Sequence, residues 1–321
     1  MITDLFLTVA TILAALVLDR YFGEPRRFHP LVGFGALAQK VERFCNTGGA
    51  IVQYIAGIGS WGIVVLPLVI TVYLADRALS FNLWLACFFD ALILYLAIGW
   101  RSMCEHIEPI YRALASGDID NARQRLSYVV SRDTAALNHD DIVAATIETT
   151  LENSSDSLFA SLFWFVFLGP AGVILHRLSN TLDAMWGYRN ARFNFFGAFA
   201  ARVDDALNIL PSQLVGLSFF IVSRSSAALR CHVRQGWRWK SISAGAVMAS
   251  GAAALGVELG GTASYHGVAN TRPPLGEGRA PNREDIARAI TLVNHTLLLW
   301  LGVGITLYAL LLASQVVGGL K

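Results

Sequence analysis

The stretch AIVQYIAGIGSWGIVVLPLVITVYLA, Ala50 to Ala75, runs for 26 residues without one Asp, Glu, Lys or Arg. As a helix it extends about 39 Å, more than the roughly 30 Å hydrocarbon core of a bilayer. Three further apolar runs, Ile2 to Leu18, Leu83 to Gly99 and Thr296 to Val317, are also long enough to cross. Two more, Leu158 to His176 and Ala206 to Val222, are interrupted by Gly169-Pro170 and by Pro211. The expectation is an all-α, polytopic membrane protein with four to six membrane-embedded helical segments, organised as a single domain over residues 1–321.

Composition agrees. Hydrophobic residues make up 55% of the chain and charged residues 15%, and the mean hydropathy is +0.50, beyond what a soluble surface allows. A formal charge of +2 gives no reason to expect a nucleic-acid partner. Cys45, Cys87, Cys104 and Cys231 lack CxxC spacing, so neither a zinc site nor a disulfide framework is indicated. The first run has no basic leader and no Ala-x-Ala site, and reads as a retained helix.

The polar stretches are about 19–49, 101–157, 177–205 and 223–295, and the chemistry must lie there. Arg20, Arg26, Arg27, Lys40 and Arg43 place the first on the cytoplasmic side by the positive-inside bias. Simple alternation then separates 101–157 from 177–205. A re-entrant hairpin broken at Gly169-Pro170-Ala171-Gly172 keeps both cytoplasmic. Ala244 to Val257 is too short for a span and reads as a packed or interfacial helix.

The segment SRDTAALNHDDIVAATIETTLENSSDS, Ser131 to Ser157, predicts a helix capped by Asn138. Glu148, Glu152 and Asp156 recur at i, i+4 and i+8 as an acidic stripe, while Val143, Ile147 and Leu151 cover another face. Like charges at this spacing repel, and no Lys or Arg lies between Arg132 and Arg177. Mg2+, an oxygen-seeking ion that bridges carboxylates to substrate phosphates, is a natural neutraliser; a solvated acidic face is the plainer alternative.

SNTLDAMWGYRNARF, Ser179 to Phe193, packs Asn180, Asp183, Tyr188, Arg189, Asn190 and Arg192 beside apolar sequence. Charges near hydrocarbon pair, line a cavity or snorkel to the headgroups, and Arg forks suit carboxylate or phosphate. Asp204 and Asp205 sit at the mouth of the Ala206 run, with Asn208 on the face of Asp204. GGTASYHG and TRPPLGEGR, from Gly260 to Arg279, read as a glycine- and proline-rich loop presenting Tyr265 and His266. No GxxxxGK[ST] occurs, so an ATP site would be nonstandard.

Taken together, LDRYFGEPRRFHP (Leu18 to Pro30), SRDT (Ser131 to Thr134), TIETTLENSSDS (Thr146 to Ser157), NTLDAMWGYRN (Asn180 to Asn190), ARVDDALNILP (Ala201 to Pro211) and SYHG (Ser264 to Gly267) carry a resemblance. From Leu18 to about Arg288 the chain resembles the adenosylcobinamide-phosphate synthases, also called cobinamide synthases, of cobalamin biosynthesis. It departs in Glu24, where many relatives carry Asp, and in Ser154, Ser155 and Ser157.

The resemblance implies an ATP-dependent acid–amine ligase in the bacterial inner membrane with a cytoplasm-facing site. It would join adenosylcobyric acid to (R)-1-aminopropan-2-ol or its O-phosphate, with ATP as co-substrate and Mg2+ as cofactor. Its partners are then the corrinoid, the aminopropanol (phosphate) and membrane lipid, and the reading admits other pathway enzymes and a homo-oligomer. Glu148, Glu152, Asp156, His266 and Tyr265 become catalytic candidates. Asp19, His29, Arg132, Asp133, Asn153, Asn180, Asp183, Tyr188, Arg189, Asn190 and Arg192 become substrate-binding candidates. Glu152, Asp156, Asp204 and Asp205 become candidates for metal or amine binding. Two alternatives are an AmpE-like membrane sensor and an intramembrane Mg-dependent phospho- or prenyltransferase.

Overall fold

The computed structural model describes residues 2–25, 29–265 and 268–318, with side chains described for 5–25, 29–262 and 271–314. Twelve helices and one hairpin are found among them: α1 Ile2–Phe22, α2 Pro30–Cys45, α3 Ala50–Leu79, α4 Leu83–Ala97, α5 Trp100–Ala115, α6 Ile119–Leu126, α7 His139–Ser154, α8 Ala160–Trp186, α9 Ala198–Ser223, α10 Ser226–Gln235, α11 Ile242–Leu255, β1 Glu258–Tyr265, β2 Val268–Gly276 and α12 Glu284–Gly318. Six helical stretches of the described chain are long and apolar enough to cross a membrane: 5–22, 50–79, 83–115, 139–186, 198–223 and 284–314. The two interrupted runs of the sequence thus join the four uninterrupted ones.

The chain divides into two compact units, residues 1–99, 160–208 and 308–321 in the first, and 100–159 and 209–307 in the second. In the first unit, α3 turns Trp61, Val64 and Val65 inward onto Phe34 and Ala38 of α2 and Leu178, Leu182 and Trp186 of α8. Its opposite face exposes Ile51, Ile55, Ile63, Ile70 and Leu74. In water that much apolar surface would drive association; against lipid tails it carries no such penalty. Gly57 lets α3 approach the next segment, since a Cβ there would stand 2.0 Å from the Phe196 carbonyl oxygen.

Gly169, at φ 62 and ψ −157, breaks α8 where the sequence places a break. That conformation favours glycine, and Pro170 cannot donate the next backbone hydrogen bond.

In the second unit, α7 starts at the expected cap. The Asn138 side chain accepts from Asp141 N at 2.9 Å, and Asp141 accepts from Asn138 N at 3.2 Å, a reciprocal box worth about 1 kcal/mol. The helix is buried from Thr146 to Leu151, so Glu148 is not part of a solvated face, while Glu152 is half-buried. A π turn at Ser155–Phe159 follows it directly. Asp156 lies in that turn, four residues beyond Glu152. The stretch Ala244 to Val257 proves to be a packed helix, α11, buried along almost its whole length.

The glycine- and proline-rich segment is a further correction. It forms an antiparallel hairpin, with Glu258 opposite Gly276 and Tyr265 opposite Val268 and an irregularity at Leu259/Gly261. Gly260 and Gly261, at φ 94 and 72, accommodate that irregularity. Pro273 and Pro274 are tolerated because β2 has only one strand neighbour.

Candidate functional site

The polar motifs collect into clusters within each unit. In the second unit the centre is Glu148, 1% exposed. Its Oε1 accepts from Gly260 N at 3.0 Å and Arg272 Nη2 at 3.0 Å. Its Oε2 accepts from Arg272 Nη1 at 2.9 Å and from Arg132 Nη2. The Arg272 guanidinium also lies 5.5 Å from the centre of the Trp239 ring. One carboxylate thus ties α7 to the SRDT segment and to both strands of the hairpin. The neutraliser that the sequence lacked nearby is Arg272, 124 residues away. With both oxygens engaged, Glu148 serves as an anchor rather than an open ligand.

Glu152 lies one turn along α7 and is half-buried, as is Asp156. Asn153 Nδ2 donates to the Thr149 carbonyl at 3.0 Å and to Thr149 Oγ1 at 2.8 Å, while Thr149 donates to the Val129 carbonyl. Asp133 is exposed. Tyr265 lies in β1 with its side chain outside the described residues, and His266 lies outside them altogether.

In the first unit, α8 and α9 carry a second chain of contacts. The Asn180 side chain bonds to Asp204. Asn208 Nδ2 donates to Asp204 Oδ1 at 3.0 Å, and Asn208 Oδ1 lies 2.9 Å from His176 Nε2. Because the Asn208 amide donates to Asp204, its oxygen is the acceptor toward the imidazole, which puts the histidine proton on Nε2. Asp183 acts electrostatically on Asp204, and Asp205 is exposed. His176 and Arg177 were not singled out in the sequence, where they end an apolar run; the spacing 176, 180, 183 on one helix face was the available signal.

His29 is buried and caps α2, accepting from Leu31 N at 3.2 Å through Nδ1, with Nε2 3.5 Å from Glu24 Oε1. Burial holds its imidazole below the ordinary value, Glu24 opposes that shift, and Arg177 adds to it. Asp19, at the end of α1, is also buried.

Arg192, a candidate for binding anionic substrate groups, already has a partner. It forks onto Glu42 at 3.0 Å and 2.7 Å, and Asn46 bridges Glu42 Oε1 and the Arg192 carbonyl. Burial pushes the Glu42 carboxyl up, but the hydrogen bonds from Arg192 and Asn46 outweigh it and hold it below the usual range. Asn190 Oδ1 caps the local turn through Arg192 N and Phe193 N, both at 3.0 Å. Tyr188 and Arg189 are exposed.

Among the described residues, no three of His, Cys, Asp and Glu gather to hold a metal ion. Mg2+ commonly takes only one or two protein carboxylates and completes its shell with water and phosphate. The oxygen donors of Glu152 and Asp156 fit that demand, whereas one oxygen of Asp204 already accepts from Asn208 Nδ2 at 3.0 Å.

These features define a polytopic helical membrane protein whose buried polar network is assembled from separate sequence motifs. Residues 12–293 match the CobD/Cbib protein family. The chain is 46% identical over 301 residues to the cobalamin biosynthesis protein CobD of Stutzerimonas stutzeri, covering 94% of this chain and 96% of that one. It is 47% identical over 287 residues to the CobD of Chromobacterium violaceum, covering 89% and 92%, and 32% identical over 300 residues to that of Rhodobacter capsulatus, covering 90% and 93%. No solved structure matches. The chain belongs to the CobD/CbiB family, the family of the cobinamide-phosphate synthases.

Proposed function

We propose that this protein forms an amide bond in cobalamin biosynthesis, joining a propionate of adenosylcobyric acid to (R)-1-aminopropan-2-ol or its O-phosphate. The observation that carries the reading is that the family motifs bond to one another within each unit. Arg132 of SRDT bonds Glu148 of TIETTLENSSDS, and Asn180 of NTLDAMWGYRN bonds Asp204 of ARVDDALNILP.

A carboxylate is a poor acyl donor. When bound, ATP and Mg2+ supply the phosphoryl transfer that converts it to an acyl phosphate. Glu148 holds Arg132 and Arg272 beside α7, where their positive charge favours negative charge building up in a transition state. Glu152 and Asp156 are the assigned metal-facing carboxylates, and Tyr265 and His266 the proton-transfer or positioning groups. Asp19, His29, Asn180, Asp183 and Arg189 are assigned to substrate. The basic stretches, among them Arg224, Arg230, Arg234, Arg238 and Lys240, support a cytoplasmic face in a bacterial inner membrane.

Mass-spectrometric detection of product tests the proposal, with detergent-purified protein given adenosylcobyric acid, Mg-ATP and aminopropanol phosphate. Amide from wild type and little from a folded Glu152→Ala variant is the expected result. Absence of product, even with membrane extract added, favours a sensor.

A further inference from the structure

A buried carboxylate is costly unless a cation or a proton answers its charge. Asp204 is 8% exposed. The groups acting on it are the amides of Asn180 and Asn208 and two further carboxylates, Asp183 and Asp205; none of these is cationic. On α8, His176, Ser179, Asn180 and Asp183 fall within an arc of about 100°. His176 and Ser179 are fully buried. Among the described residues, neither His176 Nδ1 nor Ser179 Oγ has a hydrogen-bond partner. Buried polar atoms seldom stay unpaired, and here two of them share a helix face with the acid pair, while Arg177 on the same helix donates to Asn180 Oδ1 at 3.5 Å.

We infer that the Asp183–Asp204 pair, framed by Asn180, Asn208 and His176, is a subsite for a primary alkylammonium group. The chemistry of the donors separates this guest from a divalent ion. The Asn208 amide presents N–H to Asp204 and occupies one of its oxygens. Among the described residues, no three of His, Cys, Asp and Glu are gathered there to hold a metal ion. A small divalent ion finds few direct ligands in such a setting, whereas an ammonium brings three N–H donors to the remaining carboxylate lone pairs. His176 supports the site through Asn208, whose Oδ1 lies 2.9 Å from Nε2 and whose amide is thereby held toward Asp204. Naming the guest as the amine substrate rests on the synthase reading; the cation subsite itself rests on the cluster.

The test is calorimetric titration of the full-length protein in lipid nanodiscs with (R)-1-aminopropan-2-ol alone. Propane-1,2-diol, with hydroxyl in place of ammonium, is the neutral control, and MgCl2 is the competitor. The amine should bind, the diol should bind about tenfold more weakly or worse, and Asp204→Asn should weaken the amine by about tenfold or more. Asp183→Asn should do the same, and it carries the test if Asp204→Asn does not fold.

Equal binding of amine and diol overturns the inference, as does undiminished binding in the folded variants or no amine binding to wild type. Stoichiometric displacement of the amine by Mg2+ overturns it in favour of a metal site. Turnover, measured separately, keeps the two readings apart. Amide product with Asp204-independent amine binding sinks the subsite alone, whereas Asp204-dependent binding without product sinks the synthase alone.

Discussion

Replacing Glu148 by Gln keeps the shape of the side chain and removes its charge. In the native protein that charge receives Gly260 N–H, two Arg272 donors and one Arg132 donor, and both arginine side chains are only 12% exposed. The variant leaves two guanidinium groups in a largely dry setting without their shared counter-ion. Breaking a buried pair from one side costs about 3–5 kcal/mol, and the loss should register as a fall in Tm of roughly 6–20 °C. Removing one cation instead, by Arg132→Met, leaves Arg272 bonded and should cost about 1.5–3 kcal/mol. Thermal unfolding in nanodiscs, followed by intrinsic tryptophan fluorescence, measures both. If Glu148→Gln stays within about 1 kcal/mol of wild type, or if the two changes add without coupling, the carboxylate does not anchor the network and the reasoning fails.

Three further outcomes are expected. Gly57→Ala places a methyl 2.0 Å from the Phe196 carbonyl oxygen, and the overpacking should destabilise by about 1–3 kcal/mol or more; an unchanged Tm would show that the close approach is not needed. The imidazole of His29 is held below its ordinary value, so the unfolded chain takes the proton first. Stability should therefore fall as pH drops from about 6.5 through the native value and then level off, and His29→Asn, which retains a side-chain acceptor for Leu31 N, should flatten that step. Glu42 is held below the carboxylate range, so its contribution is complete above the unfolded value and is lost as pH falls through the native one. Because Arg192 is 56% exposed, that contribution should stay under about 1 kcal/mol, and Glu42→Gln should remove it from a Tm-versus-pH series.

The membrane helices were legible because unbroken apolar runs leave little choice in a bilayer, and the break in α8 because Gly169-Pro170 violates helix chemistry locally. The cap at Asn138 was equally local. What was not legible depended on distance along the chain. Arg272 meets Glu148 across 124 residues, so the counter-charge of that carboxylate could not be read from the residues around it. The hairpin was hidden because glycines and prolines signal turns, whereas here they serve a bulge and a strand with a single neighbour. The π turn after α7 left no mark in the residue pattern. His176 passed unnoticed as the polar end of an apolar run, although its spacing to Asn180 and Asp183 already placed all three on one face.

The central claim is that this chain makes an amide from an activated carboxylate. Its most direct test gives purified protein adenosylcobyric acid labelled with heavy oxygen in the reacting carboxylate, together with Mg-ATP and aminopropanol phosphate, and weighs both products. An amide that retains one labelled oxygen and a phosphate that has gained the other are the expected products. Amide formed with no label in phosphate would contradict acyl-phosphate activation, and no amide at all would contradict the synthase.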